Sequence, residues 1–204
     1  MPTVGEIFDF LNTKAPVETK LDFDNVGLLV GSRAWPVTSV LLALEITGEV
    51  IAEAKELKAG LVLSHHPLFF DLKAVSSEVP QGKKAMVLLT GGIAAICMHT
   101  NLDAVDGGVN DALASALGLG EARPYEAEHI CRLGTLPEAM PLADFLARIK
   151  KRLGCAGLRY VDGGRPVCLV AVGGGSCGSM LEETALTGCD TFVTGDIKYH
   201  QFQQ

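Results

Sequence analysis

The sequence predicts an α/β protein of two related βα lobes, with mostly parallel strands flanked by helices. Three observations predict it. Short apolar runs of strand composition alternate with longer runs of helical periodicity. Several strand-like runs lead straight into histidine, aspartate or glycine, as the carboxyl ends of parallel strands do where they line one rim of a sheet. Apolar residues make up 48% of the chain and charged residues 20%, so a real core can be buried. A chain of 204 residues suits one generous domain or two small lobes sharing a sheet.

Taken in order, Gly5 to Asn12 places Ile7, Phe8, Phe10 and Leu11 at helical spacing. Ser39 to Ile46 is a buried strand by composition. Thr47 follows as an N-cap for a helix over Gly48 to Lys58. Gly60 to Ser64 is the next strand and runs into His65-His66-Pro67. A helix near Lys83 to Leu89 precedes the strand Ile93 to Met98, which runs into His99. Val109 to Leu117 is helical again. The stretch 121–141 is the least regular and reads as a connector between lobes of about 1–120 and 140–204. Beyond it come an amphipathic helix over Leu142 to Leu153 and a strand over Val167 to Val172. A tight Gly173-Gly-Gly-Ser-Cys177 loop leads to a helix over Gly178 to Thr187, then a strand over Thr191 to Thr194. Ile197 to Gln204 opens a helix that stops after about one turn, which reads as a chain whose C-terminal end is missing.

Composition excludes several classes. No apolar run reaches the roughly 18 residues of a membrane span, and the N-terminus lacks the basic flank of a secretory signal. The six cysteines are scattered without a C-x-x-C pair, so they read as reduced thiols of a soluble, cytoplasmic protein. A net charge of −7 has the wrong sign for nucleic-acid binding. There is no G-x-S-x-G elbow and no Walker loop. Gly173 to Ser176 suits an anion or a tight turn equally.

The chemistry gathers at three strand ends: Ser64-His65-His66-Pro67, His99-Thr-Asn-Leu-Asp103, and Gly195-Asp196. Adjacent histidines inside a strand point to opposite faces, but where a strand becomes a loop both can turn to one site. His65, His66 and Asp103 therefore form a metal-ligand set suited to zinc, iron or manganese, with two ions sharing a carboxylate. The plainer alternatives are a surface histidine pair and a helix-capping Asp103. His99 is either a ligand or a donor that orients substrate. Asp196 and His200 are candidates to contact substrate or support the ligands, and His129 reads as solvent-exposed.

Asp24-Asn-Val-Gly-Leu-Leu-Val-Gly31, Ser64-His-His-Pro67, His99-Thr-Asn-Leu-Asp-Ala104 with Asn110-Asp111, Val172-Gly-Gly-Gly175 and Thr194-Gly-Asp-Ile-Lys-Tyr-His200 occur in this order. Together they resemble the Nif-three-like family of dinuclear metal-centre proteins, often labelled GTP cyclohydrolase 1 type 2 homologues. The resemblance implies one two-lobed Nif-three-like unit, a homohexamer, and two divalent metal ions with His65, His66 and Asp103 among their ligands; His99 lies beside that site. It also implies a Gly-His-x-x-x-Glu motif beyond the point where this chain ends, and an Asp where Glu45 stands. The function it implies is metal-dependent hydrolysis of a nucleotide-like or phosphoester substrate. The alternative is a non-catalytic metal-binding scaffold or regulatory interaction protein.

Overall fold

A computed structural model describes residues 1–203. The chain divides into two compact units, Met1–Leu102 and Asp103–Gln204.

The first unit begins with α1 (Val4–Lys14), started by a capping box. The Glu6 backbone N–H donates to the Thr3 hydroxyl at 3.2 Å, and the Thr3 backbone N–H donates to the Glu6 carboxylate at 2.7 Å. β1 (Gly27–Val30) and β2 (Val40–Ala43) follow, then α2 (Gly48–Glu56), whose first turn is capped by Thr47 as expected. β3 (Leu61–Ser64), α3 (Pro80–Thr90, with proline in its first turn) and β4 (Ala94–Cys97) complete the unit. The sheet runs β1-β4-β3-β2, with β2, β3 and β4 parallel and β1 antiparallel to β4. One core packs Ile51 and Ala54 of α2 and Ala85 and Leu88 of α3 against Val30, Val62 and Ala95 of the sheet. Along β2 the alternation is visible: Leu41 and Ala43 pack on that core, whereas Val40, Leu42 and the following Leu44 are exposed.

The short helix α4 (Thr100–Ala104) carries the chain onward. In the second unit come α5 (Val109–Leu117), β5 (Gly120–Arg123), β6 (Arg132–Met140) and α6 (Leu142–Leu153). β7 (Val167–Gly173), α7 (Leu181–Leu186) and β8 (Thr191–Thr194) follow. The sheet runs β5-β6-β7-β8, with only β7 and β8 parallel among the described residues. Its core sets Ala114 and Leu117 of α5 and Phe145 and Ile149 of α6 against Leu136, Val167, Val170 and Val172.

The α/β class is as the sequence predicts, two four-stranded sheets flanked by helices, but the pairing is mixed. The parallel pairs β2–β3, β3–β4 and β7–β8 each join consecutive strands through a helical crossover, whereas β6 and β7, also joined by a helix (α6), pair antiparallel. The stretch 121–141, expected to be an irregular connector, holds the end of β5 and all of β6. Its second half is largely exposed and contains Pro137 at a register shift, so its composition resembles a loop. The division between units falls earlier, because α5 packs into the second core rather than the first. The helix expected from Gly178 starts as a 3-10 turn (Gly178–Met180), and the segment from Ile197 forms a 3-10 turn over Tyr199–Gln203; Gln204 lies outside the described residues. Among the described residues no helix is long and apolar enough to cross a membrane.

Candidate metal centre

β3 and β4 are adjacent and parallel, so their carboxyl ends deliver His65, His66 and His99 to the same edge of the first sheet. Past Ser64 the backbone stays beside β2: the His65 N–H donates to the Ala43 carbonyl at 3.3 Å and the His66 N–H to the Leu44 carbonyl at 2.8 Å. The Ser64 hydroxyl donates to the His66 carbonyl at 2.8 Å, and the Cys97 thiol to the His65 carbonyl at 3.0 Å. After β4 the His99 N–H donates to the Asn101 side-chain oxygen at 2.9 Å. Asn101 is fully buried, and its amide donates to the Ala15 carbonyl at 2.8 Å, tying this corner to the end of α1. Both histidine-bearing turns are thus fixed by backbone as well as side-chain bonds.

The three rings form a triangle, with centroids 5.2 Å apart for His65 and His66, 5.1 Å for His65 and His99, and 5.5 Å for His66 and His99. One ring nitrogen from each lies within 4.8 Å of the other two. Every Nδ1 is already engaged. That of His65 meets the Met98 carbonyl at 3.0 Å, that of His66 a Glu45 carboxylate oxygen at 3.1 Å, and that of His99 both Asp24 oxygens at 2.9 Å. An imidazole that donates from Nδ1 to an oxygen carries its lone pair on Nε2.

Asp24 is buried and accepts hydrogen bonds from His99, from the Thr100 N–H at 3.0 Å, from the Thr100 hydroxyl, and from the Asn25 N–H at 2.8 Å. Burial pushes its carboxyl up, but the bonds from His99 and Thr100 outweigh that and hold it at about 2. Asp24 is therefore a fixed negative charge behind His99. Burial pulls the His65 imidazole below its ordinary value, and the neighbouring His99 adds to that. The Phe70 ring lies 5.9 Å from that of His99, and Phe23 packs against Phe70 at 6.1 Å, which gives the cluster an apolar lip. On another side an apolar pocket of about 230 Å³ adjoins His65, lined by Leu11, Leu42, Leu63, Met98 and Leu102.

Three imidazoles so supported fit a divalent transition ion, since nitrogens at this spacing need only small rotations to reach bonds of about 2.0–2.1 Å. We expect Asp24→Asn to weaken zinc binding about 10–100-fold, the usual effect of losing a carboxylate that holds a ligating imidazole. Titration against a chromophoric chelator measures it, and unchanged affinity would remove Asp24 from ligand support.

His65 and His66 come together as the sequence suggests, and His99 joins them. Asp103, on α4, is buried, and its carbonyl accepts from the Asn110 amide at 3.3 Å. Asp196 sits in the turn after β8 with φ of 34°, its carbonyl accepting from the Ser176 hydroxyl at 3.4 Å. His200 is exposed on the final 3-10 turn, and His129 is exposed. The six cysteines are unbridged. In the glycine loop the Gly174 N–H donates to the Asn110 side-chain oxygen at 2.6 Å, so that amide serves packing rather than an anion. Asp24 and Glu45 carried no sequence signal as histidine partners.

The Duf34/NIF3 (NGG1p interacting factor 3) family model matches residues 2–204. A Clostridium perfringens protein named "GTP cyclohydrolase 1 type 2 homolog" is 37% identical over 97% of this chain and 78% of its own length. A crystal structure of a Staphylococcus aureus hypothetical protein superposes with a TM-score of 0.90 at 29% identity, covering 100% of this chain and 82% of that one. A Bacillus cereus protein related to NIF3 shares the fold with a TM-score of 0.90 at 24% identity, covering 100% and 84%.

Proposed function

The chain belongs to the Duf34/NIF3 family, and on that premise we propose that it is a metal-dependent hydrolase whose divalent ion is held by His65, His66 and His99. The observation that carries this reading is the convergence of three imidazole rings at one sheet edge, with one ring nitrogen of each within 4.8 Å of the other two. Asp24 fixes the tautomer and orientation of His99, and Glu45 does the same for His66. When bound, the ion supplies Lewis acidity that polarises a phosphoryl or carbonyl oxygen and makes water a better nucleophile. Zinc, iron and manganese all accept imidazole. The dinuclear form of the proposal adds Asp103 as a carboxylate ligand to a second ion.

The name carried by the relatives supports a nucleotide-like or phosphoester substrate, with Asp196 and His200 as candidate substrate contacts. We place the protein in the cytoplasm, where its unbridged thiols stay reduced, and expect a homohexamer. The test is a panel of nucleoside triphosphates and phosphoesters incubated with zinc-, manganese- or iron-loaded protein, metal content being measured on the same samples. Turnover that disappears in His66→Ala and Asp103→Ala supports the hydrolase. Full metal occupancy without turnover on any substrate supports the non-catalytic scaffold.

A further inference from the structure

In the second unit, two thiols that the metal centre does not use meet over a glycine. The β6–β7 register pairs Arg132 with Val172, which sets Cys131 across from Gly173. Cys177 closes the loop that leaves β7 and folds back, its thiol donating to the Gly174 carbonyl at 3.2 Å. A Cβ on Gly173 would lie 2.7 Å from the Cys177 sulfur and 2.9 Å from the Cys131 sulfur. Only glycine leaves the space in which the two sulfurs approach. Both residues are buried, and neighbouring groups fix them. The Cys131 N–H donates to the Glu126 carboxylate at 2.7 Å, and the Cys177 N–H to the Thr194 hydroxyl at 3.2 Å.

We propose that Cys131 and Cys177 form a reversible dithiol–disulfide modification site whose oxidant is a hydroperoxide. The two sulfurs are not equivalent. The neighbouring Cys131 thiol lowers Cys177 and the Thr194 hydroxyl assists, while the Cys177 neighbour and burial raise Cys131. Cys177 is therefore the attacking sulfur and Cys131 the resolving one. The Cys177 thiolate attacks the terminal peroxide oxygen; an S–O bond forms, the O–O bond breaks, and the leaving alkoxide takes a proton to become an alcohol. The Cys131 sulfur then displaces the sulfenic oxygen; the S–S bond forms, the S–O bond breaks, and water leaves. In sum, two thiols and one hydroperoxide give a disulfide, an alcohol and water, with two electrons passing from sulfur to the peroxide. The bond would clamp the start of β6 to the loop after β7.

The test uses the full chain treated with an equimolar organic hydroperoxide, quenched by alkylation and mapped as non-reduced peptides. The expected product is a Cys131–Cys177 cross-linked peptide, lighter by two hydrogens and restored by a phosphine reductant. Cys155, Cys168 and Cys189 are more accessible, so access alone would oxidise them first. In Cys131→Ser, Cys177 should stop at the sulfenic and sulfinic stages. Gly173→Ala keeps both thiols but drives them apart, and should cut the cross-link at least about tenfold, given how narrow disulfide geometry is. Oxidation of Cys155, Cys168 or Cys189 before any Cys131–Cys177 product, or a Cys177 adduct that Cys131 does not resolve in the unmodified chain, would overturn the proposal.

Discussion

A His66→Ala protein is expected to fold as the parent does and to lose nearly all of its bound metal. The His66 side chain is 42% exposed, beyond the end of β3, so its removal opens no core cavity and should change stability by no more than about 0.5 kcal/mol. Its ring is one of three that converge, and losing a ligand outweighs losing a ligand's support, itself worth about 10–100-fold in affinity. We therefore expect affinity to fall by at least about 100-fold. Plasma mass spectrometry on dialysed protein gives the metal content, and a thermal melt checks the fold. Metal content equal to the parent's would sink the assignment. Alkylating the cysteines should leave the metal in place; release by alkylation would move the site to thiolates.

The largest expected effect on stability lies elsewhere. Arg132 is fully buried at the start of β6 and serves as a five-way connector. Its Nε donates to the Asp111 carboxylate, and its terminal nitrogens reach the carbonyls of Ala104 and Val105 at 3.1 Å, His129 at 2.5 Å and Cys131 at 3.2 Å. Those of Ala104 and Val105 lie where α4 ends, the Val105 carbonyl also accepting from the Gly108 N–H at 3.0 Å, so the guanidinium helps to cap the helix. Arg132→Met removes the cation from all five acceptors; the Asp111 carboxylate and the Val105 carbonyl keep their Gly107 and Gly108 N–H donors, while the carboxylate loses its counter-charge. Breaking a buried pair from one side costs about 3–5 kcal/mol, a large part of a domain's net stability. Arg132→Lys should recover only a minor part, because a point charge on a flexible stem cannot satisfy a planar fork. Urea unfolding of the three proteins measures this; a loss below about 1 kcal/mol in Arg132→Met would show that the connector is not needed.

That residue also marks where sequence reasoning stops. The strand ends bearing His65, His66 and His99 could be read because apolar runs break off into histidine, a local signal. The partners of those histidines could not. Asp24 lies 75 residues from His99 and Glu45 lies 21 from His66, and no periodicity links them. A lone Asp or Glu is far more often a solvated charge. Arg132 is hidden for the same reason, as one arginine in a polar stretch. The exposed half of β6, with Pro137, reads as loop because it has only one buried end. β1 is four residues that begin with Gly27 and stop before Gly31, whose φ values of 100° and 104° suit only glycine, so its composition suggests a turn. The identity of His99 as a third converging ring, rather than a bystander, needed the Asp24 contact that orients it.

The alternation along β2 has a practical side. Val40, Leu42 and Leu44 present a row of aliphatic side chains to water at 41%, 71% and 64% exposure, spaced by roughly 7 Å, on a terminal strand of its sheet. Such a row beside open backbone groups is adhesive, and it makes the dispersal of the chain depend on protein concentration and temperature. Contact between aliphatic rows is driven by water's entropy near room temperature and weakens on cooling. A cold, dilute preparation should therefore scatter less light than the same protein warmed, and a charged residue at Leu42 should abolish the difference.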